Sequence, residues 1–306
     1  MVAALAAAAG LGAVEFVTNG AAFSPLVQVD AGASVSWRWS DGTTSNSASP
    51  TVSWGSSAAR THRLRVRPWS ALRSIVLGYD GSDGGAAWDA RPGEVALPSH
   101  PAQPVIAVRG LGLARGLQRF AASNTPLAGA DFGDCAQLTR IECYHASLEW
   151  VVAPPNARRL CLEENALSGV LDLTQCNELV DVRAAVMALT EIRAPMSLPD
   201  CEHFCSRDSL YLTSIPDPST FGALRELYVW GCPALEWGVV SSLAPSVHEV
   251  ICYDAHMSSA VVDSLLLALP AIGDIMRLHG NSPHSSDPAV LAAIAAKQPG
   301  WPEWSL

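Results

Sequence analysis

Lysine is nearly absent from this chain of 306 residues, because Lys297 is the single lysine among 19 basic residues. The formal net charge is −10 at pH 7. Nucleic acids and anionic membrane surfaces attract dense lysine and arginine, and a net negative charge gives the chain no general electrostatic attraction to either. No segment reaches the roughly 20 consecutive apolar residues that a bilayer crossing needs. The sequence therefore predicts no nucleic-acid binding and no membrane insertion.

Catalytic and metal-binding patterns are also missing. No two histidines have the i, i+4 spacing of a zinc enzyme, and the glycine-rich stretch Gly110–Gly116 places its third glycine one residue too late for a dinucleotide loop. Tyr79–Gly85 offers only two carboxylates for a weak calcium site. In Cys201–Cys205, a strand would turn Cys201 inward and His203 outward. We therefore expect no catalytic site, no cofactor and no metal centre.

The first ten residues, Met1–Gly10, form an almost entirely apolar run that has no lysine or arginine at its start. A secretory signal peptide normally carries a basic segment ahead of its apolar run. We therefore expect residues 1–13 to form an N-terminal arm that packs on a neighbouring segment. A cleaved signal peptide is the alternative.

Residues 14–68 contain four short segments in which apolar and polar side chains alternate, as they do in half-buried strands. The segments are Val27–Val29, Val35–Trp39, Thr51–Trp54 and His62–Val66. Turn-forming clusters separate them, which predicts a small antiparallel β-sandwich. Around Trp37–Thr44, a tryptophan-containing strand followed by an Asp-Gly turn resembles the polycystic-kidney-disease (PKD) type of immunoglobulin-like domain, although Ser40 stands where that family often has glycine. The resemblance implies a non-catalytic spacer or adhesion module.

A repeated pattern of apolar residues follows, with a second apolar residue three positions after the first and a third two positions later. The seven copies begin at Leu117, Leu138, Ala157, Leu179, Cys201, Leu224 and Val247, which are 19 to 23 residues apart. This period is typical of leucine-rich repeats. Because a single repeat cannot bury its own apolar side, the copies are expected to stack into a solenoid over residues 69–257, with an earlier copy at Leu72, Ile75 and Leu77.

One repeat, Leu160–Leu167, includes the asparagine of the leucine-rich-repeat consensus at Asn165. The same slot in the other repeats holds Thr125, Ala146, Met187, Ser209, Cys232 and Ala255. We therefore expect an irregular coil. From Leu117 onward, repeat segments such as Ile141–Tyr144 and Leu160–Glu163 resemble those of leucine-rich-repeat proteins encoded by bacteriophages and prophages. In those proteins the repeats often follow a PKD-like domain.

Residues 258–306 are predicted to cap the array. Ser258–Leu269 and Asp287–Lys297 have the N-cap residues and amphipathic spacing of helices, and Ile275–Leu278 has the pattern of a last strand. Trp301–Trp304 is expected to cover the final coil. The predicted fold class is therefore mainly β with some α: a small β-sandwich, a leucine-rich-repeat-like solenoid and a helical C-terminal cap.

The repeat register also bears on the eight cysteines, none of which belongs to a Cys-x-x-Cys pair. Cys135 and Cys176 occupy equivalent positions two repeats apart, and stacked strands would hold them about 10 Å apart. A disulfide needs Cα atoms within about 7 Å, and Cys161 and Cys205 meet the same objection. We expect reduced, structural cysteines, with a disulfide or a metal site as alternatives.

Alternate residues of each repeat strand should face outward on the concave sheet, two, four and six positions after the start. The first outward column reads Arg119, Arg140, Arg159, Asp181, His203, Glu226 and Glu249. The later columns bring together tyrosine, tryptophan and arginine, the residue types that anchor interfaces. The candidate binding residues are Tyr228, Trp230, Tyr253, Tyr144, Arg207, Glu226 and Glu249. The alternative is that these long side chains simply cover one another.

These features together predict a non-catalytic structural or recognition protein. The resemblance to phage-encoded proteins implies a component of the virion surface, either a head or tail decoration or a host contact. An exported bacterial adhesion protein at the cell surface is the alternative. The expected partner is a virion structural protein, a host surface protein or a glycan, and self-association into a homo-oligomer is compatible with the sequence.

Overall fold

A computed structural model describes residues 12–79 and 98–306. Most of the N-terminal arm, and all of the calcium candidate except Tyr79, lie outside the described residues. The chain divides into two compact units, which consist of Met1–Ala157 with Cys161–Ala166, and of Arg158–Leu160 with Leu167–Leu306. The domain boundaries predicted at residues 13, 68 and 257 stay predictions.

The N-terminal part of the first unit is a small β-sandwich, as the alternating pattern predicted. Its strands, with those that join it to the repeats, are β1 (Val14–Thr18), β2 (Ala22–Phe23), β3 (Leu26–Val29), β4 (Ser34–Arg38), β5 (Thr44–Ser45), β6 (Val52–Ser53), β7 (Arg60–Arg67), β8 (Leu72–Gly78) and β9 (Val105–Arg109). One antiparallel sheet has the order β5-β4-β7-β1-β9, and β2 pairs with β6. Phe16, Phe23 and Trp37 are fully buried between them, with ring centroids 5.5 to 6.2 Å apart.

The sandwich continues directly into the repeats of the first unit. The repeat strands there are β10 (Arg119–Ala122), β11 (Gly129–Asp131), β12 (Arg140–Glu142) and β13 (Trp150–Val152), followed by β14 (Arg159–Cys161) at the division between the units. β8, β10 and β12 are parallel, and Ile75, Phe120 and Ile141 lie side by side. The predicted early copy is therefore confirmed. Because β3 pairs antiparallel with β8, the sandwich and the repeats share one sheet, which the sequence did not predict.

The second unit is a stack of parallel strands in the predicted register. Its strands are β15 (Ser168–Asp172), β16 (Asp181–Arg183), β17 (Ala188–Arg193), β18 (His203–Cys205), β19 (Glu226–Tyr228), β20 (Glu249–Ile251), β21 (Ile275–Arg277) and β22 (Glu303–Ser305). The order β16-β18-β19-β20-β21-β22 aligns Val182, Phe204, Leu227, Val250 and Met276. All five are buried. The repeat period therefore does produce a shared apolar interior.

Each repeat strand is followed by a tight turn. Residues with positive φ occur at the same turn position, four residues after the central apolar residue: Asn124, His145, Glu164, Val186, Asp208, Gly231, Asp254 and Gly280. The next position is the asparagine slot. Asn165 Oδ1 accepts hydrogen bonds from the amides of Ala146 (3.1 Å) and Leu148 (2.8 Å) of the preceding repeat. Asn281 makes the equivalent bonds with Ala255 and Met257, and this second asparagine was missed.

The C-terminal cap contains the two predicted helices, α1 (Ser259–Ala268) and α2 (Pro288–Lys297). The side chains of Ser258 and Asp287 accept hydrogen bonds from the first-turn amides and so serve as N-caps. Trp301 is buried, and its Nε1 donates to the carbonyl oxygen of Pro270 (3.2 Å). Part of the segment expected to cover the last coil instead forms β22, a further rung of the sheet. Neither helix in the described part of the chain has the length and apolar character that a membrane crossing requires.

Candidate functional site

The outward face of the parallel sheet is not uniformly open to solvent. The prediction that the first outward column faces water is wrong at Arg119, Arg140, Arg159 and Asp181, which are at most 5% exposed. Within the first unit, the Nε of Arg140 donates to the carboxylate of Glu142, which is buried as well. Residues 140 and 142 point to the same face of one strand, so their long charged side chains pair within that strand and cover one another.

The second unit carries a row of flat side chains on this face, which we call the aromatic ladder: Arg207, Trp230, Tyr253 and His279. The rings of Trp230 and Tyr253 are stacked, with centroids 5.5 Å apart and planes 18° from parallel. Tyr253 and His279 stack at 4.8 Å and 5°. The guanidinium of Arg207 lies over the other face of Trp230, 5.5 Å from its centroid. The ladder is therefore a continuous stack.

The ladder follows directly from the strand register. Its four members stand at the same position just after β18, β19, β20 and β21, and in-register parallel strands bring equivalent positions to about 4.8 Å from one another. That spacing is close to the separation at which aromatic rings stack. Since each internal member is covered on both flat faces, Trp230 and Tyr253 are half-buried. They present ring edges rather than ring faces to solvent.

A polar cluster borders the ladder at the beginning of the same strands. The Nδ1 of His203 is 3.1 Å from Oε2 of Glu226, and the hydroxyl of Tyr228 donates to the carboxylate of Glu249. Burial, together with the carboxylates of Glu249 and Glu226, raises the pKa of Tyr228 well above its ordinary value. Burial acts to raise the pKa of Glu226, but the nearby His203, the hydroxyl of Tyr228 and the charge of His248 together outweigh it and leave that pKa below its ordinary value. Glu226 and Glu249 therefore brace the site through fixed contacts.

Six of the seven predicted site residues belong to the second unit, where Arg207, Trp230 and Tyr253 form the ladder and the other three its polar border. Tyr144 belongs to the first unit. It is half-buried, and its hydroxyl donates to Oε1 of Glu164 (3.0 Å). Tyr144 is thus assigned to a separate contact and not to the ladder.

Three histidines of this region were missing from the predicted site. His203 and His248 flank the strand starts, and His279 ends the ladder. His279 was missed because its repeat begins 26 residues after Val247, outside the 19-to-23-residue spacing. The asparagine of that repeat, Asn281, supplies the signal that would have extended the alignment.

His248, Glu249 and Asp274 are the side chains of the described residues that could hold a metal ion. One ligand atom from each lies within 4.8 Å of the other two. His248 Nδ1 is 3.1 Å from Oδ2 of Asp274.

All eight cysteines are buried, and none of them belongs to a disulfide. Burial and the nearby carboxylates raise the pKa of the Cys135 and Cys176 thiols to about 12. Because the thiolate is the reactive form, these thiols are inert near neutral pH. They fill core positions as small apolar groups.

The parallel pairing of successive repeat strands, the 19-to-23-residue period and the recurring turn define a leucine-rich-repeat-like solenoid protein. No protein-family model matches the sequence, and no curated protein is detectably similar to it. Among solved structures, the chain is similar to a leucine-rich-repeat protein of Leptospira interrogans, with 12% identity and a TM-score of 0.36. The similarity covers 64% of this chain and 62% of that protein, so this chain spans less than two thirds of its length.

Proposed function

We propose that the chain is a non-catalytic recognition protein that binds a partner through the aromatic ladder of its second unit. The observation that carries this proposal is the continuous stack of Arg207, Trp230, Tyr253 and His279 on the outward face of the sheet. Tryptophan, tyrosine and arginine dominate the energetics of protein interfaces. Their stacking also holds each side chain in one geometry before a partner arrives, which lowers the entropy cost of binding.

A protein partner is favoured over a glycan. Trp230 has a cation on one flat face and the ring of Tyr253 on the other, so a sugar ring has no free face on which to stack. What remains available is the partially positive ring edge and the polar tips, which suit carbonyl and carboxylate oxygens of a protein surface. Amphipathic rings with this presentation are common at protein interfaces.

The proposed setting is the surface of a bacteriophage virion, as a head or tail decoration or a host contact. It is supported by the resemblance of the repeat sequences to those of phage-encoded leucine-rich-repeat proteins. Immunoblotting of purified particles, with mass spectrometry of the mature N-terminus, tests this setting. We expect the chain in particles, with Met1 or Val2 as its first residue. Recovery in the cell envelope with the apolar start removed would instead support the exported adhesion protein.

The binding face is tested by site-specific photo-crosslinking. A photoreactive amino acid is placed at His279, the exposed end of the ladder, and in a matched control at Met196, which is 94% exposed in the same unit. Each protein is incubated with purified particles and with bacterial cells. We expect a defined protein adduct from position 279 and none from position 196. Equal labelling from both positions, or labelling from neither, contradicts the proposed face, and an adduct that is lost on glycosidase treatment points to a glycan.

A further inference from the structure

A histidine and two carboxylates meet at the start of strands β20 and β21, next to the polar border of the ladder. His248 immediately precedes Glu249, the first residue of β20, and Asp274 immediately precedes β21. The amide of Asp274 donates to the carbonyl oxygen of His248 (2.6 Å). Neighbouring rungs therefore hold the two side chains side by side, and Glu249 completes a group whose ligand atoms all lie within 4.8 Å of one another.

The contact between His248 and Asp274 is close, but it is not a hydrogen bond. The Nδ1 of His248 is 3.1 Å from Oδ2 of Asp274, yet it is shielded from solvent and has no hydrogen-bond partner among the described residues. Hydrogen bonds weaken steeply when donor and acceptor are misaligned. Two ligand atoms on one tetrahedral Zn²⁺, at bond lengths of roughly 2.1 Å, lie about 3.4 Å apart. The observed separation therefore suits two ligands of one ion.

We propose that His248, Glu249 and Asp274 bind a divalent transition metal ion of the Zn²⁺ class. An imidazole nitrogen with carboxylate oxygens favours such an ion over Ca²⁺ or Mg²⁺, which prefer ligand sets made only of oxygen. The Asp274 side chain is 69% exposed, so an ion can enter from solvent.

The surroundings of the three ligands support the same assignment. The hydroxyl of Tyr228 donates to the Glu249 carboxylate, as second-layer partners of metal ligands commonly do to orient them. Three protein ligands leave a fourth tetrahedral position open to water or to an incoming ligand. The proposal rests on these side chains alone and is independent of the proposed partner.

Isothermal titration calorimetry of the tag-free chain with zinc chloride, in the presence of a non-thiol reductant, tests the proposal. We expect saturable binding of about one Zn²⁺ per chain, weakened at least about tenfold by His248→Ala and by Asp274→Asn. Asp274→Asn keeps the size of an exposed side chain, so it tests the site even if His248→Ala folds poorly. His256→Asn removes an exposed histidine of the same unit, at a positive-φ position that asparagine tolerates, and serves as the matched control, with unchanged affinity expected.

Thermal unfolding gives a second readout, because an ion that binds only the folded chain raises its midpoint. We expect Zn²⁺ to raise the midpoint of the wild-type chain and of His256→Asn, but not of Asp274→Asn. Three results overturn the proposal. They are the absence of saturable Zn²⁺ binding, equal affinity in the wild-type chain and both site variants, and a loss in His256→Asn as large as that in Asp274→Asn.

Discussion

Replacing Asn165 by alanine should open the turn of one repeat in the first unit. Its Oδ1 accepts hydrogen bonds from the amides of Ala146 (3.1 Å) and Leu148 (2.8 Å). Its Nδ2 donates to the carbonyl oxygens of Cys143 (2.6 Å) and Leu162 (2.8 Å). Its Nδ2 also donates to the carbonyl oxygen of Glu163 (3.2 Å). The Asn165→Ala variant therefore removes the side-chain partner of five backbone groups at a site that is 8% exposed.

The cost of Asn165→Ala follows mainly from the two amides. A buried donor left without a partner costs about 1 to 3 kcal/mol, whereas an under-satisfied carbonyl is tolerated better. We expect the free energy of unfolding to fall by about 2 to 4 kcal/mol. Asn281 makes the same set of bonds with Ala255 and Met257 but is only half-buried. Water can replace its amide there, so we expect Asn281→Ala to cost about half as much.

Urea unfolding measures the total loss, and amide hydrogen exchange locates it. The amides of Ala146 and Leu148 should exchange faster in Asn165→Ala, while those of Ala255 and Met257 keep their protection. The reverse pattern is expected in Asn281→Ala. A loss of less than about 1 kcal/mol in Asn165→Ala, with protection at residues 146 and 148 unchanged, would refute the assignment of this asparagine as a structural bridge.

Three further predictions concern the sandwich, the ladder and the thiols. Burial lowers the pKa of His62 from 6.5 to about 4, so on acidification the unfolded chain takes up the proton before the folded chain does. The free energy of unfolding should therefore fall by up to about 3 kcal/mol between pH 6.5 and pH 4. Urea titrations across this range measure the fall, and His62→Leu should flatten the pH dependence. The double variant with Trp230→Ala and Tyr253→Ala should abolish crosslinking from position 279. Its free energy of unfolding should fall by only about 1 to 3 kcal/mol, which is what the lost stacking contacts contribute. A larger fall would show that the two rings belong to the apolar core. Iodoacetamide should leave Cys135 unlabelled in the folded chain and label it in urea, and fast labelling without urea would contradict its burial.

The fold could be predicted because it depends on the regular spacing of apolar residues along the chain. That spacing remains recognisable even where the residue type differs from one repeat to the next. The register placed Val182, Phe204 and Leu227 on neighbouring strands, where they lie in the structure. The extent of the repeat array was harder to predict. The rung that contains Met276 follows an unusually long interval occupied by α1, so the predicted strand Ile275–Leu278 was assigned to the C-terminal cap instead of the repeat array, and His279 was omitted.

The solvent exposure of outward residues could not be predicted from the register, because direction and exposure are different properties. Arg140 does point away from the apolar interior, yet pairing with Glu142 buries it. Register indicates which side chains share a column. Whether that column is open depends on side-chain lengths, on charge pairing and on neighbouring segments distant in sequence, such as Tyr79, whose hydroxyl accepts a hydrogen bond from Arg140 (3.5 Å).

The same stacking rule explains why the ladder presents edges. Equivalent positions on parallel strands recur about every 4.8 Å, so adjacent flat side chains necessarily use their faces on one another. Trp230 is covered by Arg207 and Tyr253, and Tyr253 by Trp230 and His279. In the proposed interface, the row of ring edges and polar tips, together with the carboxylates along its border, would distinguish one partner from another. Its specificity would follow from the order of residue types along the column, because each rung contributes one edge at a fixed interval.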